Sequence, residues 1–455
     1  MSTIVAISTA SGNAGIGIIR LSGEECFNIL NKIFIPKNKG DVKGYSIKYG
    51  NIVNSETKEI IDEVLVSYFI APRSYTTENM CEINSHGGIV VENQILQECI
   101  KNGAMLAEPG EFTKRAFMNG RIDLSQAEAV IDIINSKTEK EMLVAQKHLE
   151  GSLSKKIKSI KQEILDVMTD IEASIDYPEY DIEETTNIKI LRMLGSVDEK
   201  LHKLRDNFEN GKILKEGIKT AIVGKPNVGK SSLLNLILGE NRAIVSNVEG
   251  TTRDTIEEFI NIKGVPLKII DTAGIRKTRD EVEQIGVEKA INNINDAELV
   301  IAVFDDSRTF DEQDQEILNL IKNKKAIILI NKVDLNKNQV INNDKIKEMK
   351  KDIIKFSTVS EKGLEELYEK IERMFELNEI DCDNSEIITN NRQKQHIISA
   401  IKAVSKAKES VETGMPIDIT AICLKDMLGE LSEITGENVS EDIINEIFKK
   451  FCLGK

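Results

Sequence analysis

The chain has 455 residues, a formal net charge of −15 and 40% hydrophobic residues. At about 150 residues per domain its length leaves room for roughly three domains, and the acidic balance disfavours broad, non-specific binding to nucleic acid, which depends on lysine and arginine contacts that displace counterions, and confines any RNA contact to basic patches. No apolar run approaches the length of a membrane span, and MSTIVAISTA lacks the basic-then-apolar layout of a signal peptide, so a cytoplasmic protein without a membrane segment is expected.

Residues 1–118 mix alternating apolar stretches, TIVAIS and DEVLVSYFI, with glycine turns, which predicts an α+β domain. In GNAGIGIIRLSG a dinucleotide site is not expected, because Gly15 and Gly17 lack a third glycine and no βαβ unit with a ribose-binding acid follows. From Leu124 the pattern becomes helical. Leu149, Leu153, Ile157, Ile160, Ile164, Met168 and Ile171 recur every three or four residues and predict the apolar side of a long helix. KKIKSIK from Lys155 reads either as a solvated helix face or as a local RNA-binding patch.

From Ile218 to Leu377 short β runs (TAIVG, LKIID, LVIAVFD, AIILINK) alternate with helical stretches, the pattern of a parallel sheet with crossover helices. Helical character returns from Asn391 to Phe451. The expected fold is multidomain α/β: an N-terminal α+β domain at 1–118, an all-α domain in two pieces, 119–215 and 380–455, and a Ras-like phosphate-loop domain inserted at 216–379. Six cysteines, Cys26, Cys81, Cys99, Cys382, Cys423 and Cys452, are scattered and suggest neither a zinc site nor a disulfide framework.

GKPNVGKSS places Gly224, Gly229, Lys230 and Ser231 in the pattern G-x-x-x-x-G-K-[ST], between a predicted strand and a predicted helix. Glycines there let backbone N–H groups wrap phosphates at a helix N-terminus. Lys230 is expected to reach the β and γ phosphates and Ser231 to ligate Mg²⁺, with Ser232 beside it. NKVD supplies Asn331, Lys332 and Asp334; a carboxylate suits the N1–H and amino group of guanine and would repel adenine's acceptor, so GTP is the expected nucleotide. DTAG puts Asp271 near the metal and the Gly274 amide near the γ phosphate, and TTRD offers Thr252 as a second Mg²⁺ ligand. In FSTVSEKGL, Ser357 and Thr358 fall where related GTPases carry a guanine-contacting Ser-Ala. The residue after DTAG is Ile275, and a hydrophobic side chain cannot orient the attacking water as the glutamine of Ras-type switches does.

The combination of GKPNVGKSS, GTTRD, DTAGIRKTRDEVEQIG, a helical domain split by an insertion and the terminal CLGK resembles the MnmE (TrmE) family of tRNA modification GTPases over essentially the whole chain. The resemblance implies that Asn227, with Ser246, Val248 and Thr251, holds K⁺ when two GTPase domains meet, so that potassium occupies the place of an arginine finger. It further implies that Glu283 positions water and that Arg276 lies in the same switch. For the N-terminal domain it implies a constitutive homodimer that binds 5-formyl-tetrahydrofolate or a related tetrahydrofolate through Arg20, Glu82, Arg121 and Lys455. Cys452 is then either a thiol acting near the folate or an idle reduced cysteine. The implied partners are tRNA and an FAD-dependent, MnmG-like protein in a heterotetramer, and the product is an aminomethyl or carboxymethylaminomethyl group at C5 of the wobble uridine. The rival readings are a ribosome-assembly GTPase with RNA-binding flanks and a folate-dependent transferase for which GTP is merely regulatory.

Overall fold

The computed structural model describes residues 2–10, 12–38, 40, 44–176, 183–241, 258–270, 293–335, 337, 340, 344–375 and 387–455. They form two compact units, one of Met1–Ile131, His148–Lys189 and Ala403–Lys455, the other of Asp132–Lys147 and Ile190–Lys402.

The first unit is built on a seven-stranded sheet of β1 (Ile4–Ile7), β2 (Ala14–Ser22), β3 (Phe34–Pro36), β4 (Ser46–Val53), β5 (Ile60–Phe69), β6 (Met80–Gly87) and β7 (Met105–Leu106), in the order β3-β4-β5-β6-β2-β1-β7. Neighbours run antiparallel except the β1–β7 pair. The period-2 alternation turns Val5, Ile19, Leu21, Val64, Val66, Cys81 and Ile83 into one core with the helices Cys26–Ile33 and Ile89–Lys101. GNAGIG therefore lies mainly within a strand, not at a strand-to-helix turn.

The predicted apolar stripe is present from Leu153 onward, but a break separates Leu149 from it. Gly151, at φ +83, donates its N–H to the His148 carbonyl, so Leu149 ends the helix Glu139–Leu149 and the long helix begins at Ser152, running Ser152–Asp176. Leu153, Ile157, Ile160, Ile164 and Ile171 are buried, while Lys155 and Lys158 face solvent. This helix packs against Ile417–Thr435, with Lys161 reaching Ser432 Oγ (2.8 Å) and Glu437 Oε2 (2.6 Å).

In the second unit β8 (Ile218–Val223), β9 (Glu258–Ile262), β10 (Val265–Ile269), β11 (Leu299–Asp305), β12 (Ala326–Asn331) and β13 (Asp352–Lys355) form a sheet ordered β13-β12-β11-β8-β10-β9. Only the β9–β10 pair is antiparallel. Every residue of β11 and β12 is buried, as the unbroken apolar runs require of strands covered on both faces. The chain enters the sheet at β8 and builds outward on both sides of it, so the direction of winding reverses there. Ligands of open α/β sheets bind at such a switch point, outside the carboxyl ends of the strands.

A buried acid in the second unit gives a pH prediction. Thr138 Oγ1 accepts the Glu141 N–H at 3.1 Å and Glu141 Oε2 accepts the Lys137 N–H at 2.7 Å, a reciprocal cap on the helix Glu139–Leu149. Burial, aided by the nearby Asp132 carboxylate, pushes the Glu141 carboxyl up to about 7 against the opposing effect of Lys137 and Lys215. The folded state therefore holds a proton that the unfolded chain releases near its ordinary value of 4.5, so this contribution is full below 4.5 and is lost as pH rises through about 7. Glu141→Gln is expected to flatten that slope and to be more stable than the parent at pH 8 by on the order of 2 kcal/mol, as read by denaturant melts at pH 5 and 8; parallel curves at both pH values would contradict it.

Candidate functional site

The carboxyl edge of the second sheet gathers the nucleotide-motif residues that the structure describes. After β8 the chain turns through Gly224–Gly229 into the helix Lys230–Asn241, with Asn227 at φ +63. A non-glycine residue in this region is uncommon, and asparagine tolerates it better than most. Lys230 Nζ donates to the carbonyls of Gly224 and Lys225, both at 2.8 Å, and so stands in the middle of the turn. Burial pushes its pKa down from the ordinary lysine value. Ser231 and Ser232 lie exposed on the first helical turn.

NKVD follows β12 and works mainly as a strut. Asn331 Nδ2 donates to the Val228 carbonyl at 2.7 Å, and its Oδ1 accepts the Thr358 N–H at 3.3 Å, joining the phosphate loop to the FSTVS loop. Gly229 is obligatory beneath it, since a Cβ there would lie 2.2 Å from Asn331 Nδ2 and φ is +105. Lys332, itself at φ +64, donates from Nζ to the Asn227 carbonyl (2.9 Å) and to Asp305 Oδ2 (2.6 Å). Asp334 is exposed, and Ser357 Oγ donates to its Oδ1 at 2.7 Å, which fixes the carboxylate at the mouth of the loop. Ser246, Val248, Thr251, Thr252, Asp271, Gly274, Arg276, Glu283 and Cys382 lie outside the described residues.

Asp305 was not singled out by sequence reasoning. It ends the otherwise apolar strand β11, is 4% exposed, and accepts bonds from Lys332 and from the N–H and Oγ of Ser307. Burial works against its charge, but Lys332 and Ser307 outweigh it and hold the carboxyl below the ordinary value. An acid at the end of a fully apolar strand run was the available signal.

A second constellation sits on the first unit. Arg20 of β2 and Glu82 of β6 are direct cross-strand partners. The guanidinium meets Glu82 Oε1 from Nε at 2.9 Å and from Nη2 at 2.8 Å, so both contacts fall on one oxygen. Arg20 Nη1 donates to the Gly454 carbonyl at 2.9 Å, which Ser8 Oγ also reaches at 3.1 Å, and the Lys455 carbonyl accepts the Phe112 N–H at 3.2 Å. The chain end is thereby docked beside the Arg20–Glu82 pair. Its anchor is a cluster of Ile444, Phe448 and Phe451 with Ala116, Ile122 and Leu124. Gly454 has φ +84, and a Cβ there would meet the Ile7 carbonyl oxygen at 2.5 Å.

Arg121 joins this group through Tyr75, another residue the sequence did not flag. Its Nη1 donates to the Tyr75 carbonyl at 3.0 Å, and the Tyr75 ring centroid lies 4.8 Å from Arg121 Cζ and 6.0 Å from Arg20 Cζ. Tyr75 and Arg121 line a cavity of about 570 Å³ together with Tyr45, Phe69, Arg73 and Asn119. The lining is thus aromatic and cationic, with the guanidinium groups of Arg73 and Arg121 and no carboxylate, and Arg20 and Glu82 are not among its residues; such a cavity suits a flat ring with an anionic group. Cys452 is exposed, and its carbonyl accepts the Gly110 N–H at 3.4 Å.

Comparison with known proteins matches both halves of this arrangement. The family described as the GTP-binding protein TrmE N-terminus matches residues 3–121, and the MnmE helical domain matches residues 124–452. The tRNA modification GTPase MnmE of Acetivibrio thermocellus is 50% identical over 454 residues, covering 100% of this chain and 99% of that one. The proteins of the same name from Thermoanaerobacter sp. and Clostridioides difficile are each 49% identical over 458 residues, again covering 100% of this chain and 99% of the relative. With matches of that extent to both the N-terminal and the helical parts, the chain belongs to the family of the tRNA modification GTPase MnmE.

Proposed function

We propose that this chain is a potassium-stimulated GTPase that, with an FAD-dependent partner of the MnmG kind, installs an aminomethyl or carboxymethylaminomethyl group at C5 of the wobble uridine of certain tRNAs. The observation that carries the reading is the coexistence of two dissimilar sites in one chain: a braced phosphate loop beside an exposed carboxylate held by Ser357, and an Arg20–Glu82 pair bonded to the Gly454 carbonyl. A ribosome-assembly switch has no use for the second.

In the nucleotide site Lys230 binds the β and γ phosphates, Asp334 held by Ser357 selects guanine, and Asn331 and Lys332 hold the loop. Ser231 with Thr252 would hold Mg²⁺, and Asn227 with Ser246, Val248 and Thr251 would hold K⁺. When bound, these cations supply positive charge where negative charge develops on the transferring phosphate. Glu283 orients the water and Arg276 belongs to the same switch. Hydrolysis serves domain opening and closing and does not enter the chemistry on the base.

In the other site Glu82 accepts the paired donors of a 5-formyl-tetrahydrofolate or related pterin, while Arg20, Arg121 and Lys455 bind its carboxylates; Cys452 is near enough in sequence to act there. The folate when bound supplies the one-carbon unit. The sheet face that carries Arg20 and Glu82 also carries Ile47, Tyr49 and Leu65, which are 66%, 44% and 47% exposed, and Tyr49 and Leu65 are direct cross-strand partners. An exposed apolar patch beside a binding pair supports pairing of two copies there. The domains are assigned as 1–118 for folate and dimerisation, 119–215 with 380–455 for the helical part and 216–379 for GTP. Among the described residues no helix is long and apolar enough to cross a membrane, and a cytoplasmic homodimer within a heterotetramer is proposed.

The assigned cation ligand is tested by Asn227→Ala. Its GTP turnover is expected to lose stimulation by potassium, a fall of at least tenfold in potassium buffer, with nucleotide binding retained through Lys230. Undiminished stimulation would refute the assignment.

A further inference from the structure

The phosphate loop is gripped from a second direction by a residue that no nucleotide motif assigns a task. Lys225, the second residue of GKPNVGKSS, sends its Nζ to Asp311 Oδ2 and Asp314 Oδ2, both at 2.7 Å. The pair is largely withdrawn from water: the Lys225 side chain is 11% exposed and that of Asp314 5%. The Asp311 side chain is 54% exposed, yet both acids are held by backbone bonds. They are the N-cap and third residue of the helix Glu312–Ile321, where each side chain accepts the other's backbone N–H. Lys225 thus joins a capping box whose two acids already accept each other's backbone N–H.

The consequence for the nucleotide lies one atom away. The backbone carbonyl of Lys225 is one of the two oxygens that receive Lys230 Nζ, the other being that of Gly224. Holding the Lys225 side chain fixes the first turn of the loop and with it the carbonyls that aim Lys230. The far end of the loop is held independently by Lys332 on the Asn227 carbonyl and by Asn331 on that of Val228. Burial opposes the charge of Lys225, yet the two carboxylates hold its pKa above the ordinary lysine value, so the brace stays ionised at neutral pH.

We infer that Lys225, clasped by Asp311 and Asp314, is a positioning residue for GTP hydrolysis that keeps the phosphate loop in its nucleotide-ready shape before nucleotide arrives. A loop that is only fractionally in the competent shape binds more weakly by that fraction, while chemistry after binding is little changed. The effect therefore falls on affinity and KM, not on kcat.

The test is isothermal titration of the full-length chain with GDP, alongside steady-state GTP hydrolysis. Lys225→Met is expected to weaken GDP binding and raise KM by about tenfold with kcat within threefold of the parent. Lys225→Arg, which can still span both carboxylates, is expected to restore GDP affinity to within threefold. Lys225→Met binding GDP within twofold of the parent, an arginine variant no better than the methionine one, or a loss confined to kcat would each overturn the inference. Should Lys225→Met fail to fold, Asp314→Asn, which keeps a cap acceptor but removes the charge, is judged by the same affinity criterion.

Discussion

Lys230→Ala is expected to lower kcat/KM for GTP by 10³ or more, about 4 kcal/mol of transition-state stabilisation. The ammonium is already stationed in the centre of the loop by the Gly224 and Lys225 carbonyls and faces no compensating carboxylate there among the described contacts. Its burial disfavours the charge, so holding a cation in the loop costs stability. Removing it should leave the nucleotide-free fold intact, and an unchanged thermal midpoint beside the lost turnover separates a binding and catalytic role from a structural one. Turnover within tenfold of the parent would contradict the role.

The second large effect is expected at the chain end. Deleting residues 452–455 removes the Gly454 carbonyl that Arg20 and Ser8 share, the Lys455 carbonyl on Phe112, and Lys455 itself. Loss of the Lys455 ammonium as a partner for the ligand's carboxylate, a bond to a charged group contributing about 1.5–3 kcal/mol, is expected to weaken tetrahydrofolate binding by about 10- to 100-fold. Gly454→Ala is the sharper instrument. It keeps every functional side chain but forces a Cβ to within 2.5 Å of the Ile7 carbonyl oxygen at a φ of +84, which displaces the tail and should cost about tenfold in affinity. Calorimetry showing parental folate affinity in both variants would remove the tail from the pocket.

These two effects differ in how far they could be read in advance. Lys230 belongs to a contiguous motif whose flanking strand and helix are themselves legible, because parallel strands buried on both faces show as unbroken apolar runs such as LVIAVFD and AIILIN. The strands β9 and β13, five and four residues long, carry too little pattern to announce themselves. Arg20 and Glu82 are 62 residues apart and Arg20 and Gly454 434 apart, and no local periodicity reports such meetings; these residues were reached only through the family resemblance. The clasp of Lys225 on Asp311 and Asp314, 86 and 89 residues away, was not reached from the sequence by either route. Tyr75 was missed because a lone tyrosine in a polar loop has no spacing to interpret, and its place between two guanidiniums exists only in three dimensions. The helix start at Ser152 was misplaced because Leu149 satisfies the apolar period, whereas the positive φ of Gly151 decides the break.

The central claim is that GTP turnover at Lys230 and the Arg20–Glu82 site serve one reaction on tRNA. Mass spectrometry of wobble nucleosides tests it most directly, in tRNA from cells that lack the protein, carry it intact, or carry Lys230→Ala. The account predicts C5-aminomethylated or carboxymethylaminomethylated uridines only with the intact protein; the same modified nucleosides at full level in cells without it, or with Lys230→Ala, would contradict it.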